Sequence, residues 1–235
     1  MRYALYYTPA PGDRLLTAAE DWLGRSAFGR TVETSRAADP ALVADARRYG
    51  FHATLKAPFE LAEGRTESEL KVALARWCAA RPPVEAVRLT LGQPSGFFAI
   101  VPASRHAALD ALAADIVRDF EAFRAPLSEK DRARRRPEAL PERQREHLER
   151  WGYPYVFEDF AFHMTLTGRL DEAASAAVRP ELEARFAPLL ASPRRIATLA
   201  LFAERERGAD FEVVDIHPLS GHARTQPAFG HFDAA

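Results

Sequence analysis

The chain has 235 residues, of which 47% are hydrophobic and 28% are charged, and its formal net charge is −1. This composition is typical of a globular protein with one large domain or two small lobes, and it argues against a disordered chain. Because positive and negative charges nearly balance, no global positive field exists to hold a long nucleic acid, whereas local charges can still bind a small anion.

Cysteine content and hydropathy point to a reducing compartment. Cys78 is the only cysteine, which excludes an intramolecular disulfide and a zinc knuckle. No stretch approaches the roughly 20 apolar residues of a membrane span. The first residues, MRYALYYTPAPGD, contain no long apolar signal segment. We therefore expect a cytoplasmic protein that does not bind membranes.

The first part of the chain alternates between strand and helix patterns. Its predicted elements, in chain order, are a strand (2–8), a helix (14–23) capped by Asp13, a short helix (40–46), a strand (51–57), an amphipathic helix (66–80), and a hairpin of two strands (84–91 and 97–101). A long helix (104–123) follows.

The segment 126–151 differs from its surroundings, because it is charged and interrupted by prolines. We interpret it as an inserted, helix-rich excursion from the core. Its basic run, Arg132–Arg136, is most simply a solvated helix face, and attraction of phosphate is the alternative. After the insert, the predicted elements are a strand (157–167), a helix (171–190), a hairpin (195–204 and 211–217) and a loose tail (221–235).

An internal repeat carries most of the information in this sequence. Phe-His-x-Thr-Leu occurs at residues 51–55 and again at 162–166. Each copy lies in a predicted strand followed by a helix and a hairpin, so the pair is stronger evidence than either copy alone. We predict an α+β fold of two pseudo-twofold lobes, 1–101 and 102–220. Each lobe has an antiparallel sheet with helices on one face, and a cleft lies between them.

Alternation along the two motif strands directs their polar side chains to one face. On the first strand that face carries His52, Thr54 and Lys56, and on the second strand it carries His163, Thr165 and Thr167. If the lobes pack with pseudo-twofold symmetry, both His-x-Thr pairs point into one shared cleft.

Two imidazoles that face one phosphate can perform acid–base catalysis together. One, neutral, removes a proton from the attacking water or hydroxyl, and the other, protonated, donates a proton to the leaving oxygen. We predict His52 and His163 as this pair, without assigning the base and the acid. The hydroxyls of Thr54 and Thr165 can donate hydrogen bonds to phosphoryl oxygens. No metal or cofactor is needed, and the polar faces lack the carboxylates of a two-metal site.

The paired motifs HATL (52–55) and HMTL (163–166) resemble those of the two-histidine (2H) phosphoesterase superfamily, which includes RNA 2′,3′-cyclic phosphodiesterases. The resemblance implies a bilobal α+β fold and metal-independent catalysis by the two histidines. The segments MRYALYYTP, RRYGFHATLKAPF and FHMTLTG also resemble a branch encoded beside phosphonate-degradation genes. That likeness extends from residue 1 to about 220, and it implies a role in phosphonate metabolism.

Other residues near the motifs are candidates for binding the substrate. Lys56 can act as a point charge on phosphate. Arg48 and Tyr49, directly before the first motif strand, can clamp a phosphate or stack on a sugar or base. Tyr6, near the end of the first strand, can line the cleft. Five of the 7 histidines lack a paired context and are predicted to be surface or structural residues: His106, His147, His217, His222 and His231.

We therefore predict a phosphoric diester hydrolase that opens a small cyclic phosphodiester, either a cyclic ribose phosphate or a 2′,3′-cyclic nucleotide. Its expected partner is a small anionic phosphate ester, and we expect a monomer. Two alternatives stay open: hydrolysis or ligation at the ends of short RNA, and a non-catalytic module that binds nucleotide or phosphate. Loops of the form GxxxxGK[ST] and GxGxxG are absent, as is a GxSxG elbow.

Overall fold

A computed structural model describes residues 1–221, and the predicted tail falls outside them apart from Gly221. The strands are β1 (Arg2–Tyr7), β2 (Ala53–Phe59), β3 (Val84–Val87), β4 (Leu89–Gly92), β5 (Phe97–Pro102), β6 (Met164–Arg169), β7 (Arg194–Ile196), β8 (Thr198–Glu204) and β9 (Glu212–Pro218). The α-helices are α1 (Arg14–Leu23), α2 (Pro40–Tyr49), α3 (Glu67–Ala79), α4 (Ala107–Asp119), α5 (Glu129–Arg134), α6 (Glu142–Trp151) and α7 (Glu172–Phe186).

Side-chain caps explain where several helices begin. The carboxylate of Asp13 accepts a hydrogen bond from the Leu15 amide at 2.8 Å, as predicted, and α1 ends at Gly24 in the left-handed conformation. Thr66 and Glu69 form a reciprocal capping box at the start of α3. Each such cap is worth about 1 kcal/mol, because it satisfies amide groups that have no partner inside the helix.

Seven strands form one antiparallel sheet in the order β4-β5-β6-β2-β1-β8-β9, and β3 pairs with β7 in a separate two-stranded sheet. The predicted α+β fold, with an antiparallel sheet and helices, is confirmed. The two motif strands, β2 and β6, are neighbours in the middle of the sheet. The two copies of the repeat therefore lie side by side in the sheet.

Strands from the two sequence halves share this sheet. The hairpin β4–β5 lies beside β6 of the second half, and β8, from the second half, pairs with β1 of the first. Residue 101 therefore falls inside a strand that pairs with the second motif strand. The lobe boundaries 1–101 and 102–220 stay a prediction, but they do not divide the sheet.

The two faces of the sheet bury different side chains. On β1, Tyr3, Leu5 and Tyr7 join the main core, whereas Ala4 and Tyr6 join a smaller cluster with Phe202 and Phe211 on the other face. This alternation follows the two-residue period of a strand. Both faces of β1 are covered, and the smaller cluster supports one end of the site described next.

Candidate active site

The register of β2 against β6 brings the two motifs together. Ala53 is paired with Met164 in an antiparallel ladder, and both side chains are fully buried. Extending this register by one residue each way puts His52 opposite Thr165 and Thr54 opposite His163. Successive side chains alternate between faces, so these four share the face opposite Ala53 and Met164. Diagonal neighbours in such a ladder lie about 7–8 Å apart, which leaves room for one phosphate between the histidines.

Both histidines are oriented by the same local hydrogen bond. His52 Nδ1 lies 2.8 Å from the carbonyl oxygen of Gly50, and His163 Nδ1 lies 2.7 Å from that of Ala161. Because a carbonyl oxygen can only accept, Nδ1 carries a proton in each ring. Nε2 is then the atom of each ring that can exchange a proton, and in His52 it lies 3.3 Å from the hydroxyl of Thr54.

The backbone at Gly50 requires glycine. Its φ is +74°, and a Cβ atom there would stand 2.7 Å from the Cβ of Ala27. Any other residue would have to displace the chain that presents the Gly50 carbonyl to His52.

Aromatic rings surround His52. The ring of Tyr6 stacks on it, with centroids 3.9 Å apart and an angle of 25° between the planes. The ring centroids of Tyr49 and Phe202 lie 6.0 and 6.1 Å from that of His52. Burial, with a smaller contribution from the nearby His163, lowers the pKa of His52 to about 4. His52 is therefore neutral at pH 7, as a general base must be.

Two adjoining cavities open over this patch. One, of about 330 Å³, is lined by His52 and Thr165, and the other, of about 300 Å³, is lined by His163. Thr54 and Tyr153 line both cavities, so the two form one cleft along the face of β2 and β6. Predicted site residues Tyr6, Arg48 and Tyr49 also line the His52 cavity.

Most hydrogen-bond donors of Arg48 are used by the protein. Its guanidinium pairs with Glu204, lies 3.2 Å from the carbonyl oxygens of Gly208 and Ala209, and reaches the Tyr49 hydroxyl at 3.4 Å. Tyr49 in turn stacks on Phe211. Arg48 and Tyr49 form a fixed wall of the cavity, and their contact with substrate stays a prediction.

Lys56 does not share the face of His52 and Thr54, which corrects the expectation from alternation. The pairing of β1 with β2 shifts register between Tyr6–Thr54 and Leu5–Lys56, and this extra residue on β2 turns Lys56 to the helix-covered face. Lys56 is 3% exposed and lines neither cavity of the cleft. Its ammonium donates to Glu121 at 2.7 Å and to the Val117 carbonyl at 3.0 Å.

The second motif strand breaks register at the same place. The β5–β6 pairing shifts after Ala99–Thr165, and Thr167 is buried instead of facing the cleft. Its hydroxyl accepts a hydrogen bond from the Phe98 amide at 2.9 Å. In both motifs, therefore, alternation holds from the histidine to the threonine and fails after it.

The cleft also contains two arginines and two tyrosines that belong to neither motif. Arg135 and Tyr153, from the insert and the loop that follows it, line the His52 cavity, and the guanidinium of Arg135 lies 4.8 Å from the centre of the Tyr153 ring. The basic run containing Arg135 was noted in the sequence, but nothing local indicates that this part of the insert reaches the cleft. Arg169 and Tyr155 line the His163 cavity.

Residues 1–221 contain no group of three or more His, Cys, Asp or Glu side chains that could hold a metal ion. None of their helices is both long enough and apolar enough to span a bilayer.

Known proteins resemble this chain along nearly all of its length. The ribose 1,5-bisphosphate phosphokinases PhnN of Janthinobacterium sp. (strain Marseille) and Laribacter hongkongensis (strain HLHK9) are each 38% identical to it, over 94% and 91% of this chain. The alignments cover 51% and 50% of those relatives, so the chain spans about half their length.

Among solved structures, TT0787 of Thermus thermophilus is 17% identical, with a TM-score of 0.44, and the match covers 95% of this chain and 100% of that one. LigT of E. coli complexed with ATP is 11% identical, with a TM-score of 0.41, and covers 93% and 97%. The family model described as "Protein of unknown function (DUF1045)" matches residues 54–212. This match covers more than half of the chain, which therefore belongs to the DUF1045 family.

Proposed function

We propose that this protein is a phosphodiesterase that opens a small cyclic phosphodiester, with His52 as general base and His163 as general acid. The observation that carries this proposal is the antiparallel register, which sets His52, Thr54, His163 and Thr165 on one face beneath a single cleft. A site of this kind supports phosphoester chemistry because it supplies a base, an acid and two hydroxyl donors around one phosphorus.

In the proposed reaction, His52 Nε2 accepts a proton from water as the water oxygen bonds to phosphorus. One ring P–O bond breaks, and His163 Nε2 donates its proton to the departing oxygen. The products are a phosphomonoester and the hydroxyl released next to it. The low pKa of His52, caused mainly by burial, favours this assignment over the reverse, because the base must be neutral at the start.

The names of the relatives support a cyclic ribose phosphate as the substrate. Their name concerns a ribose bisphosphate, and this chain aligns with about half of each. The sequence has no GxxxxGK[ST] loop, so we do not propose phosphokinase activity for it. A role in phosphonate metabolism and a cytoplasmic setting are parts of the same proposal. A 2′,3′-cyclic nucleotide is the competing substrate.

Turnover of ribose 1,2-cyclic phosphate and the four 2′,3′-cyclic nucleotides, measured with chelator present, tests this function. We expect His52→Ala and His163→Ala each to lower kcat by ~10²–10⁴, the usual range for a lost acid or base. His217→Ala is the matched control, because His217 lies on the edge strand β9, away from β2 and β6. Wild-type turnover that survives in both active-site variants would refute the mechanism.

If the wild type binds these compounds but turns none of them over across a pH series, the non-catalytic alternative replaces this proposal. Turnover confined to short RNA with cyclic ends would instead establish the RNA alternative.

A further inference from the structure

The four motif side chains leave the reacting phosphate without a permanent positive charge. Thr54 and Thr165 are neutral, and His52 is neutral at pH 7 because burial lowers its pKa to about 4. His163, the proposed acid, loses its positive charge when it protonates the leaving oxygen. The proposed attack of water adds negative charge to the phosphoryl oxygens in the transition state. A fixed cation at the cleft would stabilise that charge, since such electrostatic stabilisation is usually the largest single contribution to catalysis.

Two arginines line the His52 cavity, and they differ in what they already bind. Arg48 shares Glu204 with Arg2, and its remaining donors contact backbone carbonyls and Tyr49. Arg135 makes no side-chain hydrogen bond or ion pair with any residue in 1–221. Its one described side-chain interaction is the contact with the Tyr153 ring.

The other arginines of the basic run each have a carboxylate partner. Arg132 pairs with Glu149 at 2.6 Å, Arg134 with Asp131 at 3.7 Å, and Arg136 with Glu138 at 3.9 Å. The arginine of this run that lines the cleft is thus the one without a carboxylate partner among the described residues. Asp45 also lines the cavity, but its side chain makes no ion pair with Arg135.

The position of Arg135 is held by contacts that reach outside the insert. The hydroxyl of Ser128 caps the start of α5, and Arg135 directly follows the helix, where its amide donates a 3.0 Å hydrogen bond to the Arg132 carbonyl. Asp131 of the same helix pairs with Arg207, in the turn between β8 and β9, which also binds Glu60 of the main body. These contacts dock the insert against the rim of the cleft.

We infer that Arg135 binds the phosphoryl group of the substrate, and that Tyr153 is the platform on which its guanidinium lies. A planar guanidinium can donate two parallel hydrogen bonds to phosphate oxygens, and stacking on an aromatic ring leaves those in-plane donors available. The insert is then a wall of the active site. The contribution of Arg135 to catalysis rests on the proposed function. The binding of an anion by Arg135 does not.

Binding of inorganic phosphate tests the site without requiring turnover. The ring-proton NMR signals of His52 and His163 report the titration. Arg135→Ala is compared with Arg132→Ala, a matched control from the same basic run, because Arg132 is paired with Glu149. We expect Arg135→Ala to weaken phosphate binding about 10- to 100-fold, the range for loss of a charge-assisted hydrogen bond. Arg132→Ala should bind phosphate like the wild type.

Kinetics then separate a role in catalysis from a role in folding. With a turned-over cyclic phosphate, Arg135→Ala should lose about 10²-fold in kcat. Added guanidinium ion should restore part of that loss in Arg135→Ala and none in His163→Ala. Arg135→Lys should recover binding but not full kcat, because an ammonium cannot make the paired hydrogen bonds.

The outcomes distinguish the two proposals. If phosphate binding is the same in Arg135→Ala and the wild type, the inference about Arg135 is wrong, even if turnover depends on both histidines. If phosphate binding requires Arg135 but no cyclic phosphate is turned over, the anion site stands and the proposed function fails.

Discussion

The two His-x-Thr motifs have nearly the same sequence and the same Nδ1–carbonyl hydrogen bond, yet their surroundings differ. The His52 ring contacts the rings of Tyr6, Tyr49 and Phe202, whereas the one ring-to-ring contact described for His163 within residues 1–221 is with Phe97, whose centroid is 5.7 Å away and whose plane is tilted by 60°. A duplicated motif thus supplies two identical imidazoles in different packing, and burial lowers the pKa of His52.

The largest expected effect comes from changing Gly50 and Ala161, whose carbonyl oxygens lie next to Nδ1 of His52 and His163. Gly50→Ala should lower the free energy of unfolding by ~1–3 kcal/mol, because its φ of +74° and the nearby Ala27 leave no space for a side chain. It should also lower kcat, since the His52 ring loses its fixed orientation. Ala161→Gly is the counterpart at the second motif, and its exposed position predicts a much smaller change in stability. Chemical denaturation and turnover measure both, and equal losses in the two variants would contradict the difference in packing.

An intermediate effect concerns the acidic limb of the pH–rate profile. With wild-type protein, we expect kcat/KM to fall on the acidic side only near pH 4, the pKa of His52. Tyr6→Leu opens the stacked side of His52 to water, so it should raise that pKa toward 6.5 and move the acidic limb up by about one pH unit. Tyr6→Phe keeps the ring and should not move the limb. If Phe97→Ala moved the acidic limb by the same amount, the aromatic rings near His163 would matter as much for this pKa as those around His52, which would contradict the comparison.

The effect that is smallest at neutral pH is the one on stability as a function of pH. Since burial lowers the pKa of folded His52 from 6.5 to about 4, the unfolded chain binds the proton more readily between these values. His52 therefore lowers stability as pH falls from 6.5 to 4, with a slope of up to about 1.4 kcal/mol per pH unit. Above pH 6.5 it has no such effect. His52→Gln should remove this slope, and denaturation at a series of pH values compares it with His163→Gln. A slope unchanged in His52→Gln would mean that His52 is not the buried base.

Much of this site could be predicted from the sequence because its information is local. The repeat identified both histidines, and alternation over three residues put each threonine on the same face as its histidine. Alternation failed at Lys56 and Thr167, because a register shift follows each motif threonine and no residue type in the sequence marks it. The cap at Asp13 and the helix 66–80 were also predicted correctly, to within a residue, from local patterns.

The features that escaped prediction depend on distant parts of the chain. Arg135 reaches the cleft through the docking of α5 on Arg207, a contact between residues 76 positions apart. The strands that pair with each hairpin in the sheet could not be predicted either. A hairpin pattern specifies its own two strands and not the strand beside them. The sequence half to which a hairpin belongs therefore gave no guide to its place in the sheet.

The shared sheet has a consequence for cutting the chain. Strand β1 is hydrogen-bonded on one side to β2 and on the other to β8, from the far end of the chain. A fragment that ended near residue 101 would leave the β8 side of β1 without a partner, and the complementary fragment would carry β8 and β9 with no strand to join. Bare strand edges of this kind pair with other chains. The two repeats are similar as sequences but depend on each other as folded units, and separated fragments would find their missing strands only by associating.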